Sequence, residues 1–537
     1  MRAVKSLVTI SGTRTMQRAA IVIIAAGLTP VISAAPAELA ATGRLTTAAV
    51  VAPAVALTTV VVSGSSVYDA PRLFGAYGSE LGKPISRESA RAVVDALAGL
   101  YTADGYVKPE IRLDDTLAAR GVLRAQVAEP RITNVVFEGE NGNFRDALKR
   151  IATKLESSAP LRQNDVANAL RDMRSIAGLA VTATSRRDPV TPNAYELVVT
   201  TDFTPVDGVV RMNNRGTDQV GPNFLLGQVF VNGILGHEEK LGLIFASATD
   251  PEEFFGAGVY LDTPVGSRGT RASALLFRSR SSPNEAPVNL TDEYTRDRAT
   301  LKFAHPLRQD SVLSLSLTGG FEADDLIIDR EGATVRDDRL RIVETGLRGS
   351  WRGAAATQYS ANVLVRKGLD ALGGGLHSED LVVDPRRADF LVTQFAGSAA
   401  RRFAERWTVR LDGFAQYSGY VLPDSERFKI GGDRLGRGFE VAEIAGDKGL
   451  GAKIELRRDL VTTETLVGRI SAYGFYDFGA AWKQDFPGRD SAATAGTGLS
   501  ISGAMLTGYL EVAAPLTGPD IEGQRKASIF AELSYRF

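Results

Sequence analysis

From Thr204 to Phe537 apolar side chains recur at every second position. Leu313, Leu315 and Leu317 alternate with Ser314, Ser316 and Thr318, and Trp407, Val409, Leu411 and Tyr417 share a face opposite Thr408, Arg410, Asp412 and Gln416. Period two is the signature of a strand with one apolar face. Such segments can be placed near positions 208, 224, 239, 254, 269, 295, 311, 338, 357, 388, 405, 449, 468, 493, 507 and 526. They are roughly ten residues long, as a tilted membrane strand requires, and number about sixteen, an even count that suits a closed antiparallel barrel in an outer membrane. The run Ser528 to Phe537 places Ile529, Ala531, Leu533, Tyr535 and Phe537 on one face and Glu532, Ser534 and Arg536 on the other. On a soluble sheet this aromatic edge invites aggregation, whereas a sealing strand in lipid turns it outward. Leu533, Tyr535 and Phe537 are the expected C-terminal assembly signal. The competing architecture, a soluble β-sandwich, needs a second sheet to cover each apolar face.

Before Thr204 the period is helical. One α/β module is expected over 57–130, with Ser86 opening a helix that carries Ala90, Val94, Leu97 and Tyr101 on one side. A second, over 131–203, repeats the plan with Phe144, Leu148, Ile151 and Leu155 on one helix and Val166, Leu170 and Met173 on the next. Residues 36–56 read as a linker rich in Ala, Thr, Val and Pro. Residues 1–35 read as an export signal, since Arg2, Lys5, Arg14 and Arg18 precede the apolar run Ala19 to Leu28 and the small residues Ser33, Ala34 and Ala35. A membrane anchor is the alternative there, although the run is shorter than the ~20 residues a helical span needs. No later stretch is long and apolar enough for a helix to cross, so any membrane residence must be through strands.

Charge adds little: 62 basic against 63 acidic residues leave a net charge of -1, which gives no attraction to nucleic acid. The chain has no cysteine, which excludes disulfides and thiolate metal sites. His237, His305 and His377 are scattered, with no nucleophile–base pair or metal-ligand spacing, so neither catalytic residue, metal nor cofactor is expected. No Walker-type phosphate loop appears.

The chemistry gathers in one long connection, 422–448, containing Ile430-Gly431-Gly432-Asp433-Arg434-Leu435-Gly436-Arg437-Gly438-Phe439. Its glycines suit a compactly folded loop with an arginine and an aromatic at its tip. Two strands later comes Phe475-Tyr476-Asp477-Phe478-Gly479, in which Asp477 shares the lumen face with Ser471, Tyr473 and Phe475. A guanidinium fork on Arg437 would bind the Asp477 carboxylate and hold the loop inside the barrel, and a simple pair of that kind would tolerate exchange of its two charges. Equally, Asp477 would pair with Lys453 or Arg469 and leave Arg437 solvated on an outer loop.

These residues carry a resemblance. Gly432, Arg437, Gly438 and Phe439 resemble the lumen-loop motif of the POTRA-plus-barrel superfamily, and Phe475, Asp477 and Gly479 resemble its barrel-wall partner. Asn213-Asn214-Arg215-Gly216 is similar to a lead-in to the first barrel strand, and Tyr68-Asp69-Ala70 with Gly105-Tyr106-Val107 to a first POTRA module. The chain most resembles two-partner secretion translocators of the haemolysin and filamentous haemagglutinin type. Two departures are visible: Gly436 stands where such families usually carry valine, and the segment before the first module lacks the amphipathic pattern of a plug helix. The resemblance implies a mainly β fold, a barrel over 204–537 preceded by two periplasmic POTRA domains, in the bacterial outer membrane. It implies a non-enzymatic, monomeric translocator that takes a large secreted passenger protein through its lumen, with outer-membrane lipids and the barrel-assembly machinery as further partners. The alternatives are an assembly factor for other barrels, which usually carries more POTRA modules, and a passive porin or receptor, which needs none.

Overall fold

The computed structural model describes residues 55–537 apart from 218–219, 267, 284–291, 311, 380, 382, 464–467 and 519–525. The expected export signal, all but the end of the linker and any plug helix lie outside the described residues.

Two α/β units come first and repeat one plan. Thr59–Ser63 runs parallel to Val122–Ala128, which pairs antiparallel with Glu110–Asp114. Likewise Arg131–Gly139 runs parallel to Ala194–Phe203, which pairs antiparallel with Leu179–Arg187. The first unit packs α1 (Ala70–Tyr77) and α2 (Arg87–Ala103) on its sheet, and the second packs α3 (Arg145–Glu156) and α4 (Asp165–Arg174). Ser86 opens α2 through a capping box: its hydroxyl accepts from the Ser89 amide at 3.1 Å, and the Ser89 hydroxyl accepts from the Ser86 amide at 2.9 Å. The buried stripe of α2 centres on Val93, Leu97 and Tyr101, with Ala90 and Val94 at its margin. Helix α1 was not anticipated, although its start signals are in the sequence: Asp69 caps the Arg72 amide at 3.1 Å and Pro71 sits in the first turn. Backbone bonds from Val107 to Leu161 and from Gln163 to Gly105 join the two units. The second unit reaches the barrel through Arg171, which donates to the Gln309 carbonyl at 2.9 Å.

The barrel is closed, antiparallel and 16-stranded, as the alternation predicts. Numbering barrel strands alone, they are β1 (Val206–Asn213), β2 (Phe224–Asn232), β3 (Lys240–Ala248), β4 (Phe255–Val265), β5 (Thr270–Ser281), β6 (Asp292–Gln309), β7 (Leu313–Arg330) and β8 (Ala333–Arg352). The remainder are β9 (Gln358–Gly368), β10 (Leu391–Phe403), β11 (Trp407–Ser418), β12 (Lys448–Thr462), β13 (Arg469–Trp482), β14 (Asp490–Ser502), β15 (Leu506–Thr517) and β16 (Ser528–Arg536). Gly375–Ser378, beyond β9, continues the pairing with β8. Strands β6, β7 and β8 run to 18, 18 and 20 residues, well past the expected length. Their far ends carry cross-strand ion pairs, Arg330 with Asp292 at 2.7 Å and Arg341 with Asp325, which suit a hairpin rising out of the bilayer into water.

Parity sorts the side chains as the sequence requires. On β13, Ser471, Tyr473, Phe475 and Asp477 are buried in the lumen, while Tyr476 and Phe478 remain 43% and 39% exposed on the outside. Leu276, Leu411, Leu499 and Leu510 belong to the same outer belt. At the end nearest the α/β units, Trp351 stacks on Tyr359 at 5.4 Å and Phe403 on Trp407 at 6.4 Å, an aromatic girdle at a membrane interface. Leu533, Tyr535 and Phe537 all stand outward. β16 closes the cylinder by pairing with β1 from Glu532↔Asn213 to Arg536↔Val209. Gly208 and Phe537 then exchange backbone bonds of 3.0 and 3.1 Å. A side chain at 208 has no room, since its Cβ would lie 2.5 Å from the Phe537 ring.

Leu510→Arg, which puts a cation on the lipid face, is expected to destabilise the barrel by about 2–4 kcal/mol. Urea unfolding in reconstituted bilayers measures this, and Leu510→Ala, which adds no charge, should cost clearly less.

Candidate functional site

The connection between β11 and β12 does not extend away from the barrel. It folds inward as a small hairpin, Phe428–Ile430 pairing with Ile444–Gly446. Phe428, Ile430, Leu435, Phe439 and Ile444 form an apolar cluster that rests on Ala481 of β13 and Ala492 of β14. The apex depends on glycine. Gly431 has φ 117° and a Cβ there would meet the Glu440 carbonyl at 1.7 Å. Gly432 and Gly436 have φ 88° and 81°. At Gly436 the expected family valine is absent for a visible reason: the left-handed turn brings the position within 2.9 Å of the Ile430 side chain. Gly438 lies so close to Thr494 and the Pro515 backbone that a Cβ would approach them to 2.8 and 3.0 Å.

Arg437 is thereby delivered to the β13 wall. Its Nε and Nη2 donate to the two oxygens of Asp477 at 3.0 and 2.9 Å, and its own amide donates to Asp477 at 3.2 Å. Nη1 donates to Glu455 of β12 and Glu511 of β15, both at 3.2 Å. The guanidinium lies 3.4 Å above the Phe475 ring. Arg437 is 6% exposed, Asp477 0% and Glu511 2%, so this is a buried ionic cluster whose charges must be matched. The match is made by two more arginines: Arg215 binds Glu511 at 2.6 Å and Arg457 binds Glu455 at 2.8 Å. Three guanidinium groups thus face three carboxylates, and the Tyr473 hydroxyl donates to Glu511 at 3.0 Å.

The wall motif acquires a physical reason residue by residue. Phe475 stacks on the guanidinium, Asp477 takes its fork, and Gly479 leaves a bare patch on which Ile430 sits, where a Cβ would come within 2.8 Å. Gly451 and Gly449 do the same for Leu435 and Phe428. Phe439 packs beside Gly518 and Ala492. The alternative partners for Asp477 are occupied otherwise. Lys453 stands directly across from it in the β12–β13 register but donates to the Asp433 carbonyl at 3.1 Å, and Arg469 lies 3.6 Å from Asp459. Arg215 was not expected here. The Asn213-Asn214-Arg215-Gly216 tract starts at the last residue of β1 and leads out of the strand, not into it, and from that far end Arg215 turns inward, donating also to the Arg437 carbonyl at 3.3 Å.

A lipid-spanning cylinder preceded by two α/β units and crossed by a loop locked to its inner wall defines a POTRA-plus-barrel protein of the outer membrane. Residues 197–503 match the family described as "Haemolysin secretion/activation protein ShlB/FhaC/HecB", and the chain belongs to that family. The outer membrane transporter CdiB of Escherichia coli is 25% identical over 518 residues, covering 88% of this chain and 81% of that protein. The solved structure of Escherichia coli CdiB has a TM-score of 0.75 at 19% identity and covers 93% of both chains. That of Haemophilus ducreyi BamA lacking POTRA domains 1-3 has a TM-score of 0.51 at 13% identity, covering 90% of this chain and all of the other. The shared fold is that of an outer-membrane barrel with POTRA-like units on the periplasmic side.

Removing Arg437 while Asp477 stays buried is expected to cost about 3–5 kcal/mol of loop docking. Exchanging the charges, Arg437→Asp with Asp477→Arg, should not restore docking, because the exchange puts a carboxylate where Glu455 and Glu511 now share the Arg437 guanidinium. Gly479→Val should unseat the loop although every charged residue of the cluster is retained. Ion conductance in planar bilayers reads all three, rising wherever the loop leaves its seat.

Proposed function

We propose that the chain is the outer-membrane half of a two-partner system: its periplasmic units catch an unfolded exported polypeptide, which crosses the lumen to the cell surface. The observation that carries this reading is the loop itself, a folded hairpin held across a water-lined passage by matched charges instead of a continuous apolar seal. A plug fastened by ion pairs can be released into water and refastened, since its separated charges are solvated there. Capture fits the second unit, where a groove of about 460 Å³ runs between the edge strand Arg131–Gly139 and α3. Phe137 and Leu148 give it an apolar floor, and Arg145, Lys149 and Glu156 a charged rim. An extended chain of varied sequence suits such a groove, through main-chain bonding with shallow side-chain contacts. Broad, weak capture is what a carrier of unfolded protein needs.

In this reading transport is not enzymatic. Direction comes from the passenger folding outside, without nucleotide hydrolysis. The partners are one large secreted polypeptide, membrane lipid and, during biogenesis, the machinery that inserts barrels. The carrier acts as a monomer, each barrel being a complete passage.

Deleting the gene and comparing secreted with outer-membrane proteins tests the proposal. Loss of one large exported polypeptide supports it, whereas a general loss of barrel proteins replaces it with an assembly role. Arg437→Ala is expected to lower secretion severalfold while the barrel still inserts and shows heat-modifiable migration; normal secretion by that variant removes the loop from the mechanism.

A further inference from the structure

The loop touches the barrel a second time, far from Arg437. Glu426 lies two residues before the hairpin strand Phe428–Ile430, and both of its carboxylate oxygens accept from Arg366 of β9, at 2.9 and 3.1 Å. The same guanidinium donates to Glu344 of β8 at 2.7 Å and to Glu322 of β7 at 3.2 Å. All four residues are under 10% exposed. The two anchors are on different walls: β10, β11 and β12 separate β9 from β13. Around Glu426 the loop's two legs are also fastened to each other and to the wall. The buried Asp447 carboxylate accepts from the Leu422 and Gln484 amides, both at 2.7 Å, and the Gln416 side chain donates to the Glu426 carbonyl at 2.8 Å.

We propose that Glu426 and Arg366 form a stem anchor that holds the base of the loop to the β7–β9 wall while the Arg437 tip lets go, so that the hairpin pivots within the lumen and does not leave it. Both are positioning residues for the transport proposed above. The proposal rests on that reading for its purpose only; the motion it describes is measurable without a passenger. Two features favour a stem that outlasts the tip. Its contact is a two-pronged ion pair reinforced by side chain–backbone bonds at both legs, whereas the tip's ion pairs all run through one side chain, Arg437, with Arg215 and Lys453 reaching only the carbonyls of Arg437 and Asp433. The stem is also asymmetric in a useful way: without Glu426, Arg366 still holds Glu344 and Glu322, so the wall remains satisfied. Glu426→Gln therefore frees the loop side alone, while changes at Arg366 would leave three carboxylates buried together.

Because the chain has no cysteine, paired spin labels report the motion cleanly. One label goes on Arg406→Cys, an exposed position in the β10–β11 turn, and the other on Asp433→Cys at the tip or on Ser425→Cys at the stem, where the serine hydroxyl has no hydrogen-bond partner among the described residues. In the parent both distance distributions are narrow. Arg437→Ala is expected to broaden the 433–406 distribution and leave 425–406 narrow, and adding Glu426→Gln should broaden both, with heat-modifiable migration unchanged in every variant. Broadening of 425–406 in Arg437→Ala alone overturns the stem anchor, as does a narrow 425–406 distribution in the double variant. Normal secretion by Arg437→Ala together with the expected distance changes would instead count against the transport reading and leave the anchor standing.

Discussion

A peptide group left unpaired in hydrocarbon costs several kcal/mol, and this single penalty dictates the architecture. It forces the C-terminal part of the chain into one continuous ladder that returns to its start, with β16 against β1 and Phe537 bonded to Gly208. Once the ladder closes, the two faces of every strand meet different solvents. Leucines and aromatics are then free to line the outside, and arginines and carboxylates to line a wet interior that a solid core would not accept.

The charged interior is organised, not merely tolerated. Along β12, β13 and β15 the wall offers Glu455, Asp477 and Glu511, and the chain supplies Arg457 from the wall, Arg215 from the end of β1 and Arg437 from the loop. Two of the three cations thus come from segments outside the strands. Docking of the loop and ordering of the β1 exit are coupled through Glu511, which both guanidinium groups share. The POTRA-like units stay apart from this network. They meet the barrel at its periplasmic rim, through contacts such as Arg171 with the Gln309 carbonyl.

Much of this was legible in the sequence because period two leaves a direct trace. The outward set on β13, the polarity of β16 and the positions of the strands all follow from counting by twos. What resisted was anything that depends on how distant strands come round to face one another. The sequence offered Lys453 as a neighbouring lumen cation, and the register does place it opposite Asp477; only the path of the loop reveals that Asp433 claims the lysine and Arg437 claims the aspartate. Arg366, Glu344, Glu322 and Glu426 have no local pattern at all, since they meet only after β7, β8 and β9 are aligned and the loop has folded back. Helix α1 was missed for a different reason: it is short, and its cap was read as part of a motif and not as the start of an element.

The glycine seat has one more implication. Gly451 and Gly479 are register partners and Gly449 lies beside them, so the strip that the loop covers is almost bare backbone. In the pivot proposed above, the hairpin uncovers this glycine strip, whose backbone is already saturated in its own hydrogen bonds. On that proposal, a polypeptide sliding over the strip meets few side chains to catch on, and friction falls where the glycines lie.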